Sequence, residues 1–161
     1  MSNIWKPSVT VAAIVERERC FLLVEEMTSD GIRINQPAGH LDPGESLAAA
    51  CARETLEETA HPFTPTQLLG VYMVRAMRNG DARQDVTYVR FAFVGELGER
   101  IAGRALDDGI LRVLWLTPEE LRARSSEHRS PLVMKCVEDY LRGQRFPLEL
   151  MYTHPTVTGD R

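Results

Sequence analysis

Residues 39–61 read GHLDPGESLAAACARETLEETAH and change character at Ser46. Before it the chain is punctuated by Pro43 and Gly44; after it come the strong helix formers Ala, Leu and Glu as far as Thr59. Ser46 suits the N-cap of such a helix, and Pro62 stops it. At 100° per residue Glu54, Glu57 and Glu58 stand at offsets of zero, three and four and share one face, while Ala49, Ala52, Leu56 and Ala60 fall on the other. The expectation is a helix with one packed face and one acidic face. Neighbouring carboxylates at this spacing repel by roughly a few tenths of a kcal/mol per pair. The plain reading is a solvated acidic face.

A divalent cation reverses the sign of that repulsion. Mg²⁺ takes oxygen ligands, keeps several waters and joins one or two carboxylates to substrate phosphates. The preceding loop, Gln36-Pro37-Ala38-Gly39 and Asp42-Pro43-Gly44, can bring backbone carbonyls close to such an ion, and Arg53 can clamp Glu45 or a neighbouring carboxylate with its planar fork.

Outward from this segment, the sequence frames one domain. The 161 residues fit a single core of common size, and 43% hydrophobic with 26% charged residues is an ordinary globular composition. The span 7–150 is expected as the ordered core and 151–161 as a mobile tail. The formal net charge of −4 supplies no positive field for nucleic acid or anionic lipid, so stable nucleic-acid binding is not expected. Cys20, Cys51 and Cys136 are odd in number and widely spaced, which suggests neither a disulfide framework nor a zinc site. No apolar run approaches the roughly 18 residues of a membrane helix, and Met1 to Pro7 shows neither the basic region nor the apolar stretch expected of a secretion signal. A cytoplasmic protein, monomer or homodimer, is the expectation.

Val9–Val15 and Cys20–Val24 read as a hairpin across the polar Glu16–Arg19, with Asp30-Gly31 as a turn and Ile32–Gln36 extended beyond it. Leu68–Met77 and Val86–Leu97 read as two longer strands joined through Asn79-Gly80-Asp81, and Leu111–Leu116 as another strand. Thr117-Pro118-Glu119-Glu120 opens a short helix. Ser130-Pro131 opens a last one, with Leu132, Val133, Cys136, Val137, Tyr140 and Leu141 at helical spacing and Gly143 beyond its end. Strands, a helix, more strands and two helices predict a mixed sheet with helices packed on it.

Gly39, Glu45, Arg53-Glu54 and Glu57-Glu58 together reproduce the skeleton of the signature box of the Nudix (MutT-like) hydrolases, which this chain resembles. A chance match at those six positions is on the order of one in 10⁵. Thr55 and His61 stand where the pattern is usually aliphatic, and Ala60 replaces its glycine, at a cost of about 1 kcal/mol if that backbone is left-handed. The resemblance implies an α/β/α sandwich with a mixed β-sheet. It also implies a Mg²⁺-dependent phosphoanhydride hydrolase, with Mn²⁺ acceptable to the same ligands. By the same resemblance Glu54, Glu57, Glu58 and the Gly39 carbonyl are metal ligands, and Arg53 with Glu45 orients them. Glu54 is the first candidate for the base, with Glu96, Asp107 and Asp108 as alternatives. Asn35–Leu41, Arg129–Val133 and Gly143–Glu149 look like the NudJ-type phosphatases within the family. That similarity implies small-molecule nucleoside tri- and diphosphates and thiamine-pathway pyrophosphates as substrates, with release of inorganic phosphate.

Arg33 and Arg90 are candidates for substrate phosphates, a surface ion pair being the other reading. His40 is a candidate for the leaving group or a plain loop histidine. Trp5, Tyr72 and Tyr88 suit ring stacking or the core, and His128 and His154 read as surface residues. Two rivals stand beside the main reading. One is hydrolysis of another diphosphate, such as a nucleotide sugar, a dinucleoside polyphosphate or a 5′-triphosphate RNA end. The other is a catalytically silent ligand-sensing module, against which all three glutamates and Arg53 speak.

Overall fold

Alternation along the first long strand explains the layering. In β1 (Ser8–Ile14), Val11 and Ala13 point with the following Val15 into one core, while Ala12 and Ile14 point into another. A strand buried on both faces needs cover on both. The computed structural model, which describes residues 4–77 and 85–159, supplies it with a helix on each side.

The sheet holding β1 has five strands in the order β5-β1-β7-β6-β9. They are β5 (Ala38–His40), β6 (Phe63–Met77), β7 (Asp85–Leu97) and β9 (Phe146–Pro147) beside β1. β1 runs parallel to β7 and antiparallel to β5, and β6 is antiparallel to β7, so the sheet is mixed. Its first face packs α1 (Leu47–Thr59) through Ala50 and Cys51 against Val11, Leu68 and Phe93. Its second packs α3 (Leu132–Leu141) through Val133, Cys136 and Val137 against Ala12, Leu69 and Ala92. This is the expected α/β/α sandwich.

A second sheet is built around β3 (Cys20–Thr28), which pairs with β2 (Glu16–Arg17), β4 (Gly31–Asn35) and β8 (Ile110–Leu116). The expected hairpin between Val9–Val15 and Cys20–Val24 is thereby corrected. The hairpin partner of β3 is the two-residue β2, and β1 itself belongs to the other sheet, with Leu22 N–H donating to Val15 O (2.9 Å) where the chain changes sheets. The tight turn uses Glu18 and Arg19 at φ 52° and 66°, a mirror-image turn made without glycine.

The expected turn at Gly31 and the cap at Thr117 stand where they were placed. Gly31 turns β3 into β4 at φ 89°. Thr117 caps α2 (Pro118–Ala123) with a full capping box to Glu120. The connection Asn79-Gly80-Asp81 lies outside the described residues. In α3, Leu141 is exposed rather than packed, and Asp139 is buried, accepting from Tyr72 Oη at 2.9 Å and from Lys135 and Arg142. Beyond β9 the tail carries a 3₁₀ turn, Leu148–Leu150, and a four-residue helix α4 (Pro155–Thr158).

Candidate active site

The acidic face is presented by α1, whose N-terminus is capped by Ser46 Oγ accepting from Ala49 N–H at 3.1 Å. The packed face is turned from the expected one. Ala50, Cys51, Thr55 and Thr59 are buried, while Ala49 is exposed and Leu56 only half-buried. Two threonines can line a core because each hydroxyl donates to the carbonyl four residues back, Thr55 to Cys51 at 2.7 Å and Thr59 to Thr55 at 2.6 Å. This rotation carries Glu58 inward, to 8% exposure.

Ala60 ends the helix in the left-handed region at φ 60°, where glycine is the residue without strain. The segment after β7 closes this end. Ile101 N–H donates to Ala60 O (2.9 Å), and Asp107 N–H donates to Glu57 O (3.0 Å). His61, buried where an aliphatic residue was expected, places Nδ1 2.8 Å from Gly98 O. Carbonyls of the last turn that the helix cannot satisfy thus find partners, and Asp107 is held beside the acidic face.

Arg53 stands at the centre of that face. Its Nε and Nη2 fork onto Glu45 at 3.0 and 2.7 Å, Nη1 donates to Glu54 at 2.8 Å and to Glu57 at 3.1 Å, and Nη2 reaches His40 O at 3.0 Å. The guanidinium therefore ties the loop to the helix. Its hydrogen bonds hold the Glu45 carboxyl below its ordinary range, outweighing burial. Glu54 moves up, because burial outweighs the Arg53 contact and the charges of Glu57 and Asp107 add to it. Glu58 is pushed up to about 8, by burial first and then by Glu26, Glu54 and Asp107, against a 2.9 Å hydrogen bond from Ala38 N–H.

Gly39 on β5 meets the helix at Glu54. A Cβ there would lie 2.0 Å from the Glu54 carboxyl carbon and 2.2 Å from each oxygen, so the carboxylate rests on the bare Cα. Buried, mutually repelling carboxylates over a glycine cradle are a donor set that suits a hard divalent cation. Among the described residues no three His, Cys, Asp or Glu side chains form a ready metal-binding group. Glu54 and Glu57 face Arg53, and Glu58 faces Ala38.

Ala38, Gly39 and His40 also line a cavity of about 340 Å³, the size of a small-molecule site. Its other walls include Arg75, Tyr88, Arg90, Arg129 and Ser130. His40 and Tyr88 face each other there with ring centroids 6.1 Å apart. Arg90 is buried and bonded to Gln36 Oε1 and Asn35 Oδ1, both at 3.1 Å. Arg33 is not brought to the cavity; its guanidinium donates to the Ile32 carbonyl. Glu96 is exposed opposite Thr64, five residues along β7 from the Phe91 that pairs with Val11 beside Gly39. At roughly 3.3 Å per residue that puts it far from the cluster. Asp108 is exposed, and among the described residues no hydrogen bond or ion pair joins it to the glutamates, whereas the charge of Asp107 acts on Glu54 and Glu58. Tyr72 is core, Trp5 is exposed, and His128 is half-buried with Nε2 2.9 Å from Leu121 O.

Glu26, which sequence spacing did not single out, also lines the cavity, and buried Gln36 braces the segment next to it. Glu26 on β3 approaches Arg129 at 3.7 Å, and Gln36 Nε2 donates to Val133 O at 2.7 Å. Arg129 N–H donates to Ile34 O at 2.8 Å, which stitches the segment before α3 onto β4. The two stretches Asn35–Leu41 and Arg129–Val133 thus meet around one space.

The NUDIX domain family model matches residues 5–136. "Phosphatase NudJ" of Escherichia coli (strain K12) is 37% identical over 147 residues, 91% of this chain and 92% of that protein. The protein of the same name from Shigella sonnei gives the same figures. The solved structure of a NUDIX hydrolase from Nitrosomonas europaea superposes with a TM-score of 0.86 at 47% identity, covering 92% of this chain and 98% of that one. A MutT NUDIX hydrolase from Burkholderia pseudomallei shares the fold, with a TM-score of 0.67 at 18% identity over 84% of this chain and 98% of that one. The box on α1, the sandwich that carries it and these matches agree: the chain belongs to the Nudix family and is a Nudix hydrolase.

Proposed function

We propose that the chain hydrolyses phosphoanhydride bonds of nucleoside tri- and diphosphates and of thiamine-pathway pyrophosphates in the presence of Mg²⁺, with Mn²⁺ as a substitute, and releases inorganic phosphate. The observation that carries this reading is the Glu54 carboxylate resting on Gly39, with Glu58 buried near it, where Gly39 itself lines a cavity of substrate size. The 37% identity to phosphatases named NudJ supports release of phosphate.

Glu54, Glu57, Glu58 and the Gly39 carbonyl would hold the cation, which takes rotation of Glu54 and Glu57 away from Arg53. A bound divalent cation neutralises phosphate charge and makes coordinated water more acidic. Arg53 keeps Glu45 and the helix in register while those carboxylates turn. A water attacks the terminal phosphorus, its proton passes to Glu54, and the anhydride P–O bond breaks with its electron pair on the bridging oxygen. Glu54, seated on Gly39, is the first choice for this base. Asp107, exposed beside the cluster, is the second choice for this base. His40, exposed at the cavity, is placed to meet the leaving group. The free thiols Cys20, Cys51 and Cys136 fit a reducing cytoplasm.

The test is product analysis. Purified protein is incubated with nucleoside tri- and diphosphates, thiamine pyrophosphate and its pyrimidine diphosphate precursor, with Mg²⁺ or EDTA, and phosphate and pyrophosphate are quantified separately. Metal-dependent phosphate release is expected. Pyrophosphate in place of phosphate from the nucleoside triphosphates would overturn the bond assignment, and no turnover would favour another diphosphate or a sensing module.

A further inference from the structure

Glu25 and Glu26 follow one another on β3, and the fold treats them differently. Glu25 is buried against Arg112 and Arg124, accepting at 3.1 and 2.8 Å. A β-bulge in the pairing with β8 separates the two residues and re-aims the second, so that Glu26 lines the cavity instead. Its Oε1 accepts from Asn35 Nδ2 at 3.4 Å and stands 3.7 Å from Arg129 Nε, while Oε2 accepts no hydrogen bond among the described residues. Asn35 Oδ1 accepts from Arg90 at 3.1 Å, which fixes the amide with its N–H groups toward Glu26.

A carboxylate on the wall of a cavity that receives phosphates repels them. With its side chain only 21% exposed, Glu26 is also short of water to solvate it. An open oxygen in such a place is satisfied by a ligand N–H, and the donor must belong to the uncharged end of the ligand. The same cavity offers that end a flat seat: Tyr88 faces His40 with ring centroids 6.1 Å apart, and Val74 and Leu132 add apolar wall. Aromatic walls beside a half-buried acceptor suit an amino-substituted heterocycle better than a sugar, which has no π-face to stack.

We propose that Glu26, steadied by Asn35, is the specificity-determining residue for the organic end of the substrate and reads the amino group of a 4-aminopyrimidine edge, the edge that adenine and cytosine share. The inference rests on the hydrolase reading for the phosphate end, and it names the ring chemistry that the same cavity selects. The ring amino group donates to Glu26 Oε2; a keto oxygen in its place would meet the lone pairs of the carboxylate. Burial holds the Glu26 carboxyl above its ordinary range, against Arg129, Asn35 and Arg90, so it can also share a proton with the ring nitrogen beside that amino group.

The test is calorimetry on the full chain in Mg²⁺ with AMP and IMP, which lack an anhydride bond and carry an amino or a keto group on otherwise matching rings and sugars. Wild type is expected to bind AMP at least about tenfold tighter than IMP. Glu26→Gln, an amide of the same size that can donate to a keto oxygen, should bring the two within about threefold by weakening AMP and not IMP, and kcat/KM for ATP against ITP should shift the same way. Glu26→Asp should keep the preference for AMP at reduced size, and it decides the matter if Glu26→Gln lowers the melting temperature. Equal wild-type affinity for AMP and IMP, an unchanged ratio in Glu26→Gln, or an equal loss for both ligands, as a partner of Arg129 or a sugar contact would give, overturns the assignment. A Glu26-dependent preference for AMP without turnover of ATP would instead sink the hydrolase reading and leave Glu26 as the reader of the ring.

Discussion

Substituting Gly39 with alanine separates the position of Glu54 from its presence. The added Cβ would sit 2.0 Å from the Glu54 carboxyl carbon, whereas non-bonded carbon atoms rest at about 3.5 to 4.0 Å. The carboxylate must therefore retreat by about 1.5 Å or more. Because it is the end of a flexible side chain, the fold loses little: the 2.8 Å contact to Arg53, worth about 1 kcal/mol or less, while Arg53 keeps its fork on Glu45. Chemistry should suffer far more, since a misplacement of about 1 Å can cost about 100-fold in rate. The expected outcome is kcat lowered about 100-fold in Mg²⁺ with a melting temperature within a few degrees of wild type. Gly39→Ala placed on a Glu54→Ala background should add little further loss, because both act on the same carboxylate. Activity within threefold of wild type in the single variant would refute the seating of Glu54 on Gly39 as a working geometry.

Three further outcomes follow from the same contacts. Arg53→Lys keeps a charge but loses the fork on Glu45, and a Mg²⁺ titration of activity should show a 10- to 100-fold loss in apparent metal affinity or rate. Glu25 accepts from Arg112 and Arg124, and those contacts hold its pKa below the ordinary 4.5 despite burial. Its contribution to stability is thus present above that value and lost as pH falls below it. Glu25→Gln should cost about 1–2 kcal/mol at pH 7 in urea unfolding, with the gap to wild type shrinking below about pH 4. Glu58 is raised to about 8, chiefly by burial. The folded chain keeps a proton that the unfolded chain releases, so this stabilisation is full below about pH 4.5 and is lost as pH rises through 8. In EDTA the melting temperature should fall between pH 6 and pH 9, and added Mg²⁺ should raise it more at pH 9.

The acidic face and its cap were legible because helix periodicity, Ser46 and Pro62 are local signals. Which face packs was not, since Thr55 and Thr59 read as polar until their hydroxyls are seen bonded to carbonyls of their own helix. The sheet change between β1 and β3 escaped for a related reason: the turn at Glu18-Arg19 lacks the glycine that marks mirror-image turns. Pairing of β1 with β7 joins residues some eighty positions apart, which no local pattern encodes. The cavity illustrates the same limit. Gly39 and His40 belong to the motif, but Glu26 joins them only through the pairing of β3 with β4, and Arg129 only through its bond to Ile34.

On the proposed reading Glu54, Glu57 and Glu58 hold a divalent cation used in phosphoanhydride hydrolysis. Mn²⁺ titrated into the protein and followed by the loss of the free-ion paramagnetic resonance signal tests it most directly, with hydrolysis measured on the same samples. Wild type should bind saturably and Glu57→Gln at least about tenfold more weakly, with a matching loss of activity. Equal Mn²⁺ binding by the two proteins, or hydrolysis that persists in EDTA, would contradict it.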